Sequence, residues 1–199
     1  MQQHISLNTI TGVILAGGES RRFGSNKALA LYNGKPLLAH VAATMEKIFT
    51  NRLLVTNTPD LFRFINWPMT GDIYNGCGPL GGIHAALSKT AASQIFITGC
   101  DMPLINPEII RFLCGLSGDW DVALPWLEKG PEPLHAVYRK TALPAFENAL
   151  AAKQNKIVQV LEKVTVRKIS MEEILAVSDG LSSFANINKP HELQALKPE

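Results

Sequence analysis

The feature that most restricts this chain is an alternation: short, β-branched apolar runs give way, again and again, to segments with apolar residues at helical spacing. Ile10 to Leu15 is such a run, ending in Ala16-Gly17-Gly18, as a buried strand entering a tight turn would. Pro36 to Phe49 then has helical spacing, with Pro36 suited to a first turn. Arg52 to Thr56, Met69 to Ile73, Gln94 to Thr98 and Trp120 to Pro125 are further strand candidates. Helices are expected to start at Thr58-Pro59-Asp60 and to cover Leu80 to Lys89 and Pro107 to Leu116. Asn106 supplies the last of these with a cap, followed by a first-turn proline and a favourable acid. Strands apolar on both faces and joined through helices form a mostly parallel sheet covered on both sides, which is the α/β class. Leu134 to Tyr138 reads as a strand antiparallel to that sheet, and Val164 to Ile169 as an added strand. Thr141 to Lys153, Ile157 to Glu162 and Pro190 to Leu196 read as helices, the first an amphipathic cover for the sheet. With no linker, repeat or low-complexity stretch, residues 1–199 are expected to form a single domain.

Composition removes several function classes. A formal charge of +2, spread along the chain, is too small for a dedicated nucleic-acid binder, so basic residues are read locally as phosphate ligands. No run of about 18 apolar residues occurs, which excludes a membrane-spanning helix. Met1 to Asn8 is polar and lacks the pattern of a signal peptide. Cys77, Cys100 and Cys114 form no C-x-x-C pair, which argues against a disulfide framework or zinc site and for a reducing, cytoplasmic setting. Cys100 lies beside an acid but reads as a small buried residue at a strand end, not as a nucleophile.

Three segments carry chemistry. In Leu15-Ala16-Gly17-Gly18-Glu19-Ser20-Arg21-Arg22-Phe23-Gly24-Ser25-Asn26-Lys27, a glycine turn after the first strand lets backbone N–H groups approach phosphate oxygens or a base. Arg21, Arg22 and Lys27 can neutralise a triphosphate, the arginines by paired donors and the lysine as a point charge. The spacing is neither G-x-x-x-x-G-K-S/T, because Ala28 follows Lys27, nor G-x-G-x-x-G. Gly99-Cys100-Asp101-Met102-Pro103-Leu104 follows an apolar strand, and ligands collect at the carboxyl ends of strands in open parallel sheets. Asp101 can hold Mg²⁺ there together with substrate phosphates, or can cap the following turn. The third segment runs from Asp72 through Gly76-Cys77-Gly78-Pro79-Leu80-Gly81-Gly82, whose glycines precede a helix with amides able to face an anion or base. Tight loop packing is the plain alternative for these glycines, and a solvated strand-end acid for Asp72.

Taken together, LAGGESRRFGSNKAL, GPLGGI, CDMPL and the later FANINKP resemble the molybdenum cofactor guanylyltransferases, over Leu15 to about Leu193. The resemblance implies a Rossmann-like nucleotidyltransferase fold that uses GTP and Mg²⁺. It implies transfer of GMP to the terminal phosphate of molybdenum–molybdopterin, giving the guanine dinucleotide cofactor and pyrophosphate. Transient contact with cofactor-insertion proteins or molybdoenzymes is expected from it, and no nucleic-acid or membrane partner. Leu15, Ala16 and Gly17 resemble the family's guanine-contacting turn, extended here by Gly18. Lys27 resembles its phosphate-binding lysine, Asp72 a nucleotide contact and Asp101 the metal ligand, while Gly78 lies in the matching glycine segment. Asn186 and Asn188 match paired asparagines associated with the acceptor side. Gly17 stands where cytidylyltransferase relatives usually have a second alanine, and the missing methyl leaves room for a purine.

The pattern is not matched everywhere. Phe23 stands where methionine is usual, and Asn26 where an aspartate commonly precedes the lysine. A nucleotide contact near the end of the second strand falls at Thr56 or Asn57; Thr56 aligns slightly better, Asn57 is carried as the candidate, and the register stays open. His135, in an apolar run, has no assigned role, and a satisfied core histidine is its plain reading. Trp67, Trp120 and Trp126 read as core or rim residues. Lys27, Arg22 and Asp101 are the expected catalytic groups, converging on one triphosphate. The competing functions are a cytidylyl- or sugar-nucleotidylyltransferase on the same fold and a non-catalytic nucleotide-binding protein that delivers cofactor.

Overall fold

The computed structural model describes residues 7–17, 26–187 and 189–195. The first strand, β1, is Ile10–Leu15, as expected. A small hairpin follows, β2 (Leu31–Tyr32) and β3 (Lys35–Pro36), turning on Asn33 and Gly34, which both have positive φ (47° and 75°). Asn-Gly is the pair a two-residue type I′ turn demands. The hairpin moves the start of α1 to Leu37–Glu46: Pro36 is extended and paired with Leu31, so it precedes the helix and is not in its first turn.

Next come β4 (Asn51–Val55), a 3₁₀ segment over Pro59–Ile65, the two-residue β5 (Met69–Thr70), α2 (Gly78–Lys89) and β6 (Gln94–Gly99). In α3 (Pro107–Cys114) the Asn106 side chain accepts from the Glu108 N–H, the cap its sequence called for. Then follow β7 (Val122–Leu127), β8 (Gly130–Pro131), β9 (His135–Arg139), α4 (Leu143–Ala151), α5 (Ile157–Leu161) and β10 (Val166–Ile169). The chain closes with α6 (Met171–Leu175), started by a Ser170–Glu173 capping box, and α7 (Pro190–Ala195).

The main sheet has the order β10-β7-β9-β6-β1-β4-β5, with β8 paired to β7. β5, β4, β1 and β6 are mutually parallel, and β9 is antiparallel to both neighbours, β6 and β7. The expected mostly parallel α/β sheet is therefore present, with its reversed strand inside the sheet.

Alternate residues of each buried strand face opposite layers. Ile10, Ile14 and Phe96 pack with α1, α3 and α6 through Leu38, Met45, Ile110, Leu113 and Ile174. Val13, Leu15, Ile95 and Ile97 pack with α2, α4 and α5 through Ile83, Leu87, Phe146 and Val160. Gly12 is forced by this packing, since a Cβ there would lie 2.4 Å from the Phe49 ring. No helix among the described residues is long and apolar enough to cross a membrane.

Candidate active site

The chain visits β4 on one side of β1 and later β6 on the other, so the strand order reverses at β1, the place where open parallel sheets form a crevice. The register fixes what lines it. Leu15 is level with Val55 and Gly99, and Val55 with Thr70. Two residues beyond that row come Gly17, Asn57, Asp101 and Asp72. Four parallel strands thus deliver four candidate residues to one edge.

Of the opening turn, Leu15 and Ala16 keep their side chains in the core. The Leu15 carbonyl accepts from the Cys100 N–H (3.2 Å), and the Ala16 N–H donates to the Val55 carbonyl (2.9 Å). These bonds tie the tips of β4, β1 and β6 together. Gly17 is exposed, and among the described residues a Cβ there would meet nothing within 4 Å. Gly18, Arg22 and Asn188 lie outside the described residues.

Lys27 opens a 3₁₀ turn over Lys27–Leu29, which Asn26 caps by accepting from the Ala28 N–H (3.1 Å). An amide oxygen serves that cap as a carboxylate would, so asparagine before the lysine keeps the local geometry. The Lys27 ammonium lies 2.6 Å from Asp101 Oδ2, with the two side chains only 14% and 22% exposed. Lys27 thus meets Asp101 at the strand tip, while Arg22, expected beside them, lies outside the described residues.

Two features hold Asp101 that its sequence segment did not reveal. Its carboxylate folds back over Gly99, where a Cβ would stand 2.4 Å from Oδ1. Its backbone carbonyl accepts from the Ile187 N–H at 2.9 Å. That bond docks the C-terminal segment, with exposed Asn186, onto the strand tip, and a second one from the Asn106 N–H to buried Ser183 Oγ (2.9 Å) holds it there. A glycine just ahead of the strand-end acid was a usable signal for the first feature; nothing in the sequence signals the second. Burial, then the charge of Asp101, pushes the Cys100 thiol up to about 12, so it is no nucleophile near neutrality.

Asn57 and Asp72 form a reciprocal pair. The Asn57 amide nitrogen donates to Asp72 Oδ2 (2.9 Å), and the Asp72 N–H donates to Asn57 Oδ1 (2.8 Å). Thr56 is buried, and its hydroxyl accepts from the Thr58 N–H (3.2 Å). The geometry therefore favours Asn57 as the group presented at this edge. Glycines seat the neighbouring loop on α2: a Cβ on Gly81 would lie 2.9 Å from the Tyr74 carbonyl and 3.7 Å from Asp72 Cγ. Gly78, the first residue of α2, has φ +57°, a conformation other residues rarely adopt.

His135 is fully buried, edge-on to Phe96 and Phe184, and neither ring nitrogen has a hydrogen-bond partner among the described residues. Its plain reading as a satisfied core histidine is therefore corrected: it is core, but unsatisfied. Burial drives its pKa down to about 3, so it is neutral. Trp67 and Trp120 are buried, and Trp126 is at the rim under the Lys168 ammonium.

The donor set suits a substrate-borne magnesium ion. Among the described residues no cluster of three or more His, Cys, Asp or Glu could cage a metal unaided. One held carboxylate, already in contact with a cationic stand-in, the Lys27 ammonium, matches an ion that takes its remaining ligands from phosphates and water.

Residues 12–168 match the family model of the MobA-like NTP transferase domain. The chain belongs to that family. This nucleotidyltransferase is 36% identical over 190 residues to the molybdenum cofactor guanylyltransferase of Desulfosudis oleivorans, covering 94% of each chain. It is 35% identical over 190 residues to a Carboxydothermus hydrogenoformans protein named "probable molybdenum cofactor guanylyltransferase", covering 96% of each. Among solved structures, it is similar to the molybdopterin-guanine dinucleotide biosynthesis protein A of Archaeoglobus fulgidus, with TM-score 0.84 and 28% identity, over 93% of this chain and 95% of that one.

Proposed function

We propose that this nucleotidyltransferase transfers GMP from GTP to the terminal phosphate of molybdenum–molybdopterin, releasing pyrophosphate. The observation that carries this is the meeting of Lys27 and Asp101 at the strand-order reversal, beside the Asn57–Asp72 pair. The names of its relatives supply the acceptor and the base. The missing methyl at Gly17, exposed at the strand tip, supports a purine.

In this mechanism an acceptor phosphate oxygen attacks the α-phosphorus in line and pyrophosphate leaves. A phosphate monoester is already anionic near neutral pH, so no strong general base is required of the protein. The barrier lies in bringing two polyanions together and stabilising charge on the phosphoryl oxygens. Lys27, with Arg22 from the opening loop, supplies positive charge to the triphosphate. Asn57 and Asp72 contact the nucleotide at the β4–β5 edge, with Gly78 at the start of α2. Asp101 is the residue that would hold Mg²⁺, which when bound offsets charge on the phosphate oxygens. Asn186 and Asn188 serve the acceptor side, Asn186 from the segment docked on Asp101 through Ile187.

A pyrophosphate-release assay with each of four nucleoside triphosphates, and with molybdenum-loaded or empty molybdopterin, tests this. Release is expected with GTP and loaded acceptor. Equal release with CTP, or with a sugar phosphate as acceptor, would transfer the assignment to another member of the fold. GTP binding without any release would make the protein a nucleotide-binding carrier.

A further inference from the structure

We propose that the Lys27–Asp101 ion pair gates metal entry: Lys27 covers the metal-holding carboxylate until a triphosphate draws it off, so metal and nucleotide bind together. This rests on the reading that Asp101 holds Mg²⁺. The two charges stand 2.6 Å apart and largely out of solvent. A dication arriving alone must share that carboxylate with an ammonium or displace it, and either weakens a close charge pair.

Asp101 is the fixed partner. Its Oδ1 occupies the space a Cβ on Gly99 would fill, and its carbonyl is tied to the Ile187 N–H. Lys27 is the partner able to move, on a flexible four-carbon stem. Among the described residues no group of three or more His, Cys, Asp or Glu could hold an ion unaided, so a lone ion gains little there against Lys27. A triphosphate changes both sides of the exchange: its oxygens receive the ammonium and complete the coordination of the ion. Linkage then requires that nucleotide tighten metal binding and that metal tighten nucleotide binding by the same factor.

The test is Mn²⁺ binding, read from the free-ion electron paramagnetic resonance signal, with and without a GTP analogue carrying a methylene between the α and β phosphorus atoms. Wild type, Lys27→Met, Lys27→Gln and Asp101→Asn are compared after thermal melts confirm folding. Wild type should bind Mn²⁺ weakly alone and tightly with the analogue. Lys27→Met should bind Mn²⁺ alone about tenfold tighter than wild type, with a smaller gain from the analogue; Lys27→Gln should follow it. Asp101→Asn should lose the tight site in both conditions. If the Lys27 variants bind lone Mn²⁺ no better than wild type while Asp101→Asn abolishes the tight site, the gate is wrong and the metal assignment stands. If Asp101→Asn keeps the tight site, the metal assignment fails and the gate goes with it.

Discussion

The sheet has two halves that treat polar residues in opposite ways. In β5-β4-β1-β6 all strands run in one direction, and Asp72, Asn57, Gly17 and Asp101 follow one another along a single edge. In β9-β7-β10 the first strand is reversed, and its polar residue at the same end, His135, points into the core between Phe96 and Phe184. Parallel strands repeat the same end at every position, so a two-residue overhang on each builds a continuous polar rim. A reversed strand starts where its neighbours finish and closes the rim with packing. The mixed half therefore acts as a platform, and Phe184 on His135 seats the C-terminal segment that reaches Asp101.

The sharpest way to break this contrast is at the rim itself. Asp101→Ala and Lys27→Ala should each lower turnover by about 10²-fold or more, as loss of a comparable electrostatic contact does, with melting temperature little changed. Full turnover in either variant would remove that residue from the site. Gly99→Ala comes next: displacing the Asp101 carboxylate should lower kcat by about 10–10²-fold, the scale of a misplacement near 1 Å. An unchanged kcat would mean the carboxylate has other productive positions.

His135 tests the platform. Its folded pKa, about 3, lies below the ordinary imidazole value of 6.5, so the unfolded chain takes up a proton that the folded chain refuses. The stability due to its neutral burial is fully present above about pH 6.5 and is lost as pH falls toward 3. Urea unfolding should show wild type losing about 2 kcal/mol more than His135→Leu between pH 7.5 and 5. Parallel losses in the two proteins would contradict the buried, neutral imidazole. The smallest effect is expected at Asn57→Ala, which removes both hydrogen bonds to Asp72 and should raise KM for the nucleotide about tenfold, with kcat nearly intact.

Much of this was legible in advance because local rules and tertiary structure agree. The limits of β1 and the cap of α3 follow from apolar runs and from Asn106. The hairpin at Asn33-Gly34 was equally visible as a turn signal, but helical spacing after Pro36 masked it. β4 ends at Val55, and only the β4–β5 register shows Asn57 facing Asp72 while Thr56 turns into its own loop. The bond from Ile187 to Asp101 joins segments distant in sequence through backbone groups, which every residue carries, and the one from Asn106 to Ser183 ends on a common hydroxyl, so no residue type announces either.

Anomalous diffraction from crystals soaked with Mn²⁺ and the methylene-bridged GTP analogue tests the central claim most directly. The account predicts a manganese peak on the Asp101 carboxylate, with Lys27 moved onto a phosphate of the same nucleotide. A nucleotide bound with Lys27 still on Asp101 and the metal elsewhere would contradict it.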